Sequence, residues 1–437
     1  MTSTSPLNIA LIGFGTVGSG VARILSTQAK NIAVRAGREI RISRVVVRDP
    51  DKAREFLPAG VEVSTSIDDV IDDPQIQLVA QLIGGIDPAF DYMKRSLAAG
   101  KDVVTANKAL IYAHGSELFE RAAANERTIG FEAAVAGGIP IIGAVTQALT
   151  GNQILSLEAI LNGTSNFILT RMLDEQHAYA DALKEAQRLG YAEADPAMDV
   201  DGTDAAQKLA ILTQLAFSTP VKLDDFVRQG IDGIELLDLQ VAADLGYKIK
   251  LLATARLQNK RLEISVQPTL ISCDRTIAQI DGADNIVAVH GDAVGNTTFS
   301  GAGAGQLPTA SAVVADIIDY ATGRTAVTFQ SILRSSQQEP WPVQPAEELR
   351  RRYYLRLTVD DRPHVLADIT DVLGRNEISI SSVRQDETPE TDEAGDGTAR
   401  LVIMTHTTTE GRLRAADTEL SKLACIRGAS IRLPIAD

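Results

Sequence analysis

Leu7-Asn8-Ile9-Ala10-Leu11-Ile12-Gly13-Phe14-Gly15-Thr16-Val17-Gly18 is the stretch on which the fold turns. Leu7 to Ile12 is apolar without alternation, as a strand covered on both faces requires. It runs directly into three spaced glycines, and a helical pattern follows from Val17 to about Ala29. G-x-G-x-x-G alone is weak evidence. Between a strand and a helix it has the context the motif needs. The glycines allow a tight turn and let backbone N–H groups approach a pyrophosphate at the helix N-terminus. Gly13, Phe14, Gly15, Thr16, Val17 and Gly18 are therefore candidate dinucleotide contacts.

The alternation continues outward from that stretch. Ile40–Val47, Leu78–Ile83, Asp102–Thr105 and Thr128–Glu132 read as strands. Ala89–Ala99, Leu110–Ala124 and Ile139–Leu149 read as helices. The pattern predicts a doubly wound α/β sheet over residues 1–150. Ligands in such sheets bind outside the carboxyl ends of the strands. Arg48 stands at one such end, where a basic residue suits the 2′-phosphate of NADP; Asp49 beside it keeps NAD possible. Thr105-Ala106-Asn107-Lys108 occupies another, placing Thr105 and Lys108 where a nicotinamide would lie. At a third, Glu132 precedes a small-residue loop through Val135, Gly137 and Ile139. One carboxylate and several carbonyls can hold a hard cation, although an ordinary strand-to-helix turn reads the same way.

The most unusual stretch is Gly190 to Lys208, where Glu193, Asp195, Asp199, Asp201 and Asp204 surround a loop punctuated by Pro196 and Gly202. From Asp204 the sequence is a good helix former, so Asp204 and Lys208 leave one helix face. A solvated acidic loop with one weak surface pair is the bland reading. A pocket for a small substrate bearing a cationic group, with Lys208 as acid or base, is the sharper one.

The 437 residues suggest about three domains by the usual size prior. Hydrophobic residues are 45% and charged residues 23%, ordinary for globular domains with cores. The net charge of −15 argues against nucleic acid or an anionic membrane as partner. Cys273 and Cys425 are far apart and match no metal spacing, which suits a reducing cytoplasm. No signal peptide or membrane span is legible.

Residues 151–300 read as an α+β region: a strand at Ile154–Leu161, a capped helix opening at Asn162, and strands at Lys248–Leu257, Leu262–Thr269 and Asn285–His290. Gly301-Ala302-Gly303-Ala304-Gly305 reads as a close backbone approach or a hinge. The helix Thr309–Tyr320 reads as a return segment (301–334) onto the nucleotide domain. Residues 335–350 are polar and proline-bearing, a linker across which few core contacts are expected. Residues 351–437 give strand–helix–strand–strand–helix–strand, the ferredoxin-like order, ending in a strand at Ile426–Arg432. Asp386–Gly397 reads as an acidic hairpin loop. Truncation after Ser335 is accordingly expected to leave a working core.

Over its whole length the chain resembles homoserine dehydrogenase, the long bacterial form with a C-terminal ACT domain. The resemblance rests on Gly190-Tyr191, Asp195-Pro196, Asp199-Val200-Asp201-Gly202, Asp204 and Lys208. Thr105–Ala109, the glycines at 301–305, and the tail stretches 361–369 and 378–385 add to it. It implies NAD(P)H-dependent reduction of L-aspartate 4-semialdehyde to L-homoserine, NADP or NAD as cofactor, and a homodimer or homotetramer built through the middle domain. An amino-acid effector, with L-threonine the usual one, is implied for the tail. Residue by residue, it implies Phe14 to Val17, Arg48, Lys108, Gly190 and Gly303 for the dinucleotide. Glu193, Asp204 and Asp199 are implied for the substrate, Lys208 as proton donor with Lys108 beside the reacting oxygen. Glu132, Val135, Gly137 and Ile139 are implied for a monovalent cation, sodium or potassium. His364 stands where ACT domains commonly have glycine. Two other readings stay open: a non-catalytic dinucleotide and amino-acid sensor, and an NADP-linked oxidoreductase for another small aldehyde.

Overall fold

The computed structural model describes residues 5–436 except 53, 194 and 387–396. The acidic loop read at Asp386–Gly397 lies, but for its ends, outside the described residues. Two compact units interleave along the chain: Met1–Ser156, Gln207–Val221 and Asp284–Trp341 form one, and Leu157–Ala206, Lys222–Ala283 and Pro342–Asp437 the other.

In the first unit, β1 (Leu7–Ile12), β2 (Ile40–Val46), β3 (Glu62–Ser64), β4 (Leu78–Gln81), β5 (Asp102–Thr105) and β6 (Ile129–Gly130) form a sheet in the order β3-β2-β1-β4-β5-β6. Every pairing is parallel. The order reverses beside β1, so the switch point falls at the glycine loop that follows it. β1 is central, with Ile9 beside Ile42 on one side and Leu78 on the other. That explains its unbroken apolar run: it is covered on both faces. The helix Thr16–Thr27 packs against the helix Gln306–Ala321, whose Ala310, Val313 and Ile317 join the sheet's core. A side chain at Gly20 would stand 2.8 Å from Gln306 O and 2.9 Å from Ala310 Cβ, so only glycine admits this approach. β3 was not legible as a strand: it is three residues long, at the sheet's edge. The expected strand Thr128–Glu132 shrinks to Ile129–Gly130 because the chain turns into a 3₁₀ turn at Glu132–Ala134. The helix expected at Ile139–Leu149 begins at Ile141, after Pro140, and widens into a π turn over Ala144–Ala148. The hairpin Asp284–Gly291 and Gly295–Ala302 completes the unit's strands.

The second unit is built on a mixed sheet. Its strands lie in the order Ile154–Ile160, Tyr247–Gln258, Arg261–Ser272, Ile431–Ala436, Arg350–Asp360, Thr398–Thr405, Ile380–Asp386. The last four, with helices Val365–Arg375 and Glu410–Leu420, are the ferredoxin-like tail, and they enclose their own core around Tyr353, Leu355, Ile369, Ile403 and Leu413. His364 has φ 72°, the left-handed conformation glycine adopts at no steric cost.

Two expectations about the tail need correction. Its last strand is Ile431–Ala436 rather than Ile426–Arg432, because Gly428 (φ 73°) bends the chain first. Nor is the tail joined through an idle linker. Its first residue, Ser335, belongs to a helix, Arg324–Ser335, which buries Phe329 and Ile332. Further on, Leu262 N donates to Pro342 O at 3.0 Å and Gln344 N to Leu262 O at 3.0 Å. The last strand pairs antiparallel with Arg350–Asp360 and parallel with Arg261–Ser272, so the tail continues the middle sheet. Across that seam Arg356 Nε donates to Asp238 Oδ1 at 2.7 Å, and Tyr354 OH donates to the same oxygen at 2.8 Å. Asp238 is 0% exposed. Loss of the tail would strip that carboxylate of its cation and uncover the face on which Tyr354 and Arg356 lie.

Arg356→Ala is expected to lower unfolding free energy by about 3–5 kcal/mol, the usual cost of stranding one member of a buried ion pair. Truncation after Ser335 is expected to abolish cooperative urea unfolding for the same reason. An Arg356→Ala midpoint equal to the native one would show that the seam contributes nothing.

Candidate active site

The glycine loop assigns each glycine a different task. Gly13 has φ 100°, and a side chain there would stand 2.8 Å from Ile83 Cγ2. A side chain at Gly18 would stand 2.4 Å from Gly13 O. Gly15 has open space where a side chain would project, and it is the N-cap of the helix Thr16–Thr27. Gly15 and Thr16 are exposed, so the helix's first amides are turned to solvent, as an anionic pyrophosphate requires. Phe14 and Val17 are half-buried against the sheet's core.

Arg48 is exposed two residues past β2, and Asp49 is exposed beside it. Asp49 Oδ1 accepts from Asp51 N at 3.0 Å. At the end of β5, Thr105 Oγ1 donates to Gln81 Oε1 at 2.6 Å and accepts from Asn107 N at 3.1 Å. Asn107 Nδ2 donates to Gly85 O at 2.6 Å, while its Oδ1 accepts from Leu110 N at 3.1 Å and caps the helix Lys108–Ala124. Thr105 is thus a buried support, and half-buried Lys108 opens the helix it helps to place.

Glu132 has partners of its own beside the small-residue loop. Its carboxylate accepts from Ile142 N at 2.8 Å and Gly143 N at 2.7 Å, and its own N–H donates to Asp316 Oδ2 at 2.9 Å. Burial pushes the Glu132 carboxyl up to about 7, against the pull of those two amides. Burial, and then the charge of Glu132, push Asp316 well above the carboxylate range. A carboxyl raised in the folded state weakens the fold as pH rises from the ordinary carboxylate range to about 7. Val135 and Ile139 flank Ala136 and Gly137, whose φ values are 55° and 43°. A side chain at Gly137 would stand 2.6 Å from Gly303 O, and one at Gly303 2.0 Å from Asn285 Nδ2. The glycine-rich stretch 301–305 is therefore a close backbone approach rather than a hinge.

The acidic loop holds the most ordered chemistry. Gly190, in the left-handed region at φ 79°, ends the helix Tyr179–Leu189. The short helix Ala197–Val200 and Gly202 (φ 83°) then turn the chain into the helix Thr203–Phe217. Asn162 Nδ2 donates to Asp199 Oδ1 at 2.8 Å and to Asp204 Oδ2 at 2.8 Å. Its Oδ1 accepts from Ser165 N at 2.7 Å, capping the helix Gly163–Asp174. Ser165 Oγ donates to Asp199 O at 2.7 Å, and Thr164 Oγ1 to Tyr191 O at 2.7 Å. Asp204 is 4% exposed and Lys208, one turn on, 9%. The turn that carries Asp204 and Lys208 is thus buried, while Asp195 earlier in the loop stays exposed. Glu193 is exposed, and its carbonyl accepts from Gln187 Nε2 at 3.2 Å; no contact in the structure draws its side chain to Asp199 and Asp204 among the described residues. Sequence reasoning read Asn162 only as a helix cap. Its second role was marked by nothing local, since both carboxylates lie far along the chain.

A dinucleotide loop at a switch point, and a buried lysine one turn from a held carboxylate, define an NAD(P)-dependent oxidoreductase. Comparison with known proteins specifies which. Residues 13–132 match the NAD-binding domain of homoserine dehydrogenase, residues 140–318 match homoserine dehydrogenase, and residues 353–425 match the ACT domain. A homoserine dehydrogenase of Neisseria gonorrhoeae is 41% identical over 96% of both chains. The crystal structure of one from Thiobacillus denitrificans superposes with a TM-score of 0.92 at 45% identity, covering 100% of each chain. A hyperthermophilic archaeal homoserine dehydrogenase, solved in complex with NADPH, is 28% identical with a TM-score of 0.61, covering 72% of this chain and 97% of its own. The chain belongs to the homoserine dehydrogenase family. Among the described residues no helix is long and apolar enough to cross a membrane.

Gly15→Ala is expected to weaken nicotinamide-dinucleotide binding at least about tenfold with thermal stability unchanged, because no protein atom stands where its side chain would project. Gly18→Ala is expected to destabilise the unit, because backbone must move. Fluorescence titration with NADPH, alongside thermal unfolding, separates the two; equal behaviour of both variants would contradict these roles.

Proposed function

We propose that the chain interconverts L-aspartate 4-semialdehyde and L-homoserine with Lys208 as proton donor. The observation that carries this reading is the buried helix turn bearing Asp204 and Lys208, with Asp204 anchored by Asn162. Bound nicotinamide supplies a hydride to the aldehyde carbon. The chain's part is to hold the substrate and to meet the charge that develops on its oxygen. Asp204, with Asp199 beside it on the same amide, binds the substrate's ammonium group; Glu193 completes the binding from the exposed loop. Lys208 gives its proton to the nascent alkoxide, and Lys108 adds a second positive charge at that oxygen. A pure sensor would have no use for a buried lysine and carboxylate arranged in this way.

Phe14, Gly15, Thr16 and Val17 hold the pyrophosphate, with Gly190 and Gly303 as further backbone contacts. Arg48, exposed past β2, favours NADP through its 2′-phosphate. The carbonyls of Val135, Gly137 and Ile139 and the carboxylate of Glu132 fit a monovalent cation, sodium or potassium. On this reading residues 1–150 serve the dinucleotide, 151–300 the substrate, and 351–437 an amino-acid effector, L-threonine. The working form is a cytoplasmic homodimer or homotetramer. Initial rates with homoserine and each cofactor, with and without threonine and potassium, test these assignments together. No homoserine-dependent reduction of either cofactor would end the reading.

Lys208→Ala is expected to lower kcat about 10²-fold or more, the scale of losing a positioned acid. Near-native turnover in the folded variant would remove Lys208 from the mechanism. Arg48→Ala is expected to raise KM for NADPH by about tenfold or more and leave NADH nearly untouched, since charge-assisted contacts are worth about 1.5–3 kcal/mol. Equal losses for both cofactors would make Arg48 an ordinary surface residue.

A further inference from the structure

Where the tail strand Ile431–Ala436 joins Arg261–Ser272, the second unit encloses a cavity of about 270 Å³ that no catalytic role explains. Arg256, Arg275, Arg350, Arg351 and Arg352 line it. Against these five guanidiniums stand two carboxylates, Glu158 and Glu263.

The partnerships inside the cavity are uneven. Glu158 accepts from Arg256 Nη2 at 2.7 Å and is ion-paired with Arg275. Burial would raise the Glu158 carboxyl, but Arg275 and Arg256 outweigh it and hold it below the usual range. Glu263 lies directly across from Arg256 in the strand register. Glu158 is thus engaged on one side, while the charge of Glu263 also acts on Arg351. On the other, Arg351 donates to neutral groups, Gln267 Oε1 at 3.3 Å and Ser265 Oγ at 3.0 Å. Among the described residues no carboxylate forms an ion pair with it. Glu263 and Glu410 act on it through space, but burial outweighs them, so its charge is only partly compensated. Arg350, its neighbour, is exposed and likewise forms no ion pair among the described residues. Thr254, Thr269 and Thr407 add hydroxyls to the lining.

We propose that this cavity binds a small dianion, a molecule whose carboxylate or phosphate oxygens are gripped by Arg351 and Arg350. The planar guanidinium fork matches either group in a two-point contact. The volume is near the lower end of small-ligand sites and suits a molecule of metabolite size. Because the walls come from both the middle sheet and the tail, an occupant ties the two together and stabilises the seam by mass action. This site is separate from the one proposed for chemistry, and its existence does not depend on that reading.

The test is thermal unfolding and calorimetry on the full chain at fixed ionic strength, with saturating NADP present. The probes are succinate, inorganic phosphate and, as the neutral control, succinamide. At least one anion is expected to raise the melting temperature where succinamide does not, and the larger response identifies carboxylate or phosphate as the preferred group. Arg351→Gln is expected to weaken that anion about tenfold or more, the scale of one charge-assisted contact. Arg350→Ala, at an exposed position that leaves the fold alone, is expected to weaken it less. The proposal is overturned if neither anion acts beyond succinamide, or if both variants respond as the native chain does. The second result would assign any binding to the substrate pocket instead.

Discussion

One neutral amide holds two carboxylates that would otherwise repel. Asn162 donates to both Asp199 and Asp204, and its carbonyl end is spent on capping a helix. With both ends committed, its side chain has little freedom left. The turn from the acidic loop into the helix Thr203–Phe217 is set from this point, and with it the direction in which Lys208 leaves that helix. A carboxylate in water would gain little from such an arrangement. Buried, it becomes a fixed negative charge, which is what recognition of an ammonium group demands.

The nucleotide unit applies the same economy to backbone. Three glycines and a helix start leave one open place, at Gly15, and close the others. Gly13 and Gly18 are needed for the chain's own packing, whereas Gly15 leaves room for something else. Nearby, Glu132 and Asp316 bring two buried carboxyls together, and burial keeps them from ionising as free acids do. The Glu132 carboxylate caps the turn at Ile142 and Gly143, so this corner is ordered by acidic groups at a helix start.

The tail shows how a module can have a core of its own without being separable. Its apolar cluster is self-contained, yet its last strand extends the sheet of the middle region and Arg356 reaches across to buried Asp238. A sequence-adjacent linker says little about this, because the joint is made by the chain's far end. The same joint creates the arginine-lined cavity, from strands that are more than a hundred residues apart.

The glycine loop, the β/α alternation and the ferredoxin-like order were legible because they are local: hydrophobic period, turn residues and caps act over a few neighbours. The acidic loop and Lys208 were legible as a pattern for the same reason. What the sequence left blank was every feature made by distant residues meeting. Neither the second role of Asn162 nor the different work of Gly15 and Gly18 carries a local mark. The 3₁₀ turn that takes over at Glu132 and the strand displaced past Gly428 are settled by what each segment packs against. The partly compensated charge of Arg351 exists only because burial removed more than Glu263 and Glu410 restore. Hydrophobic pattern chooses elements, but electrostatic pairing depends on distance and burial, and those are properties of the folded chain alone.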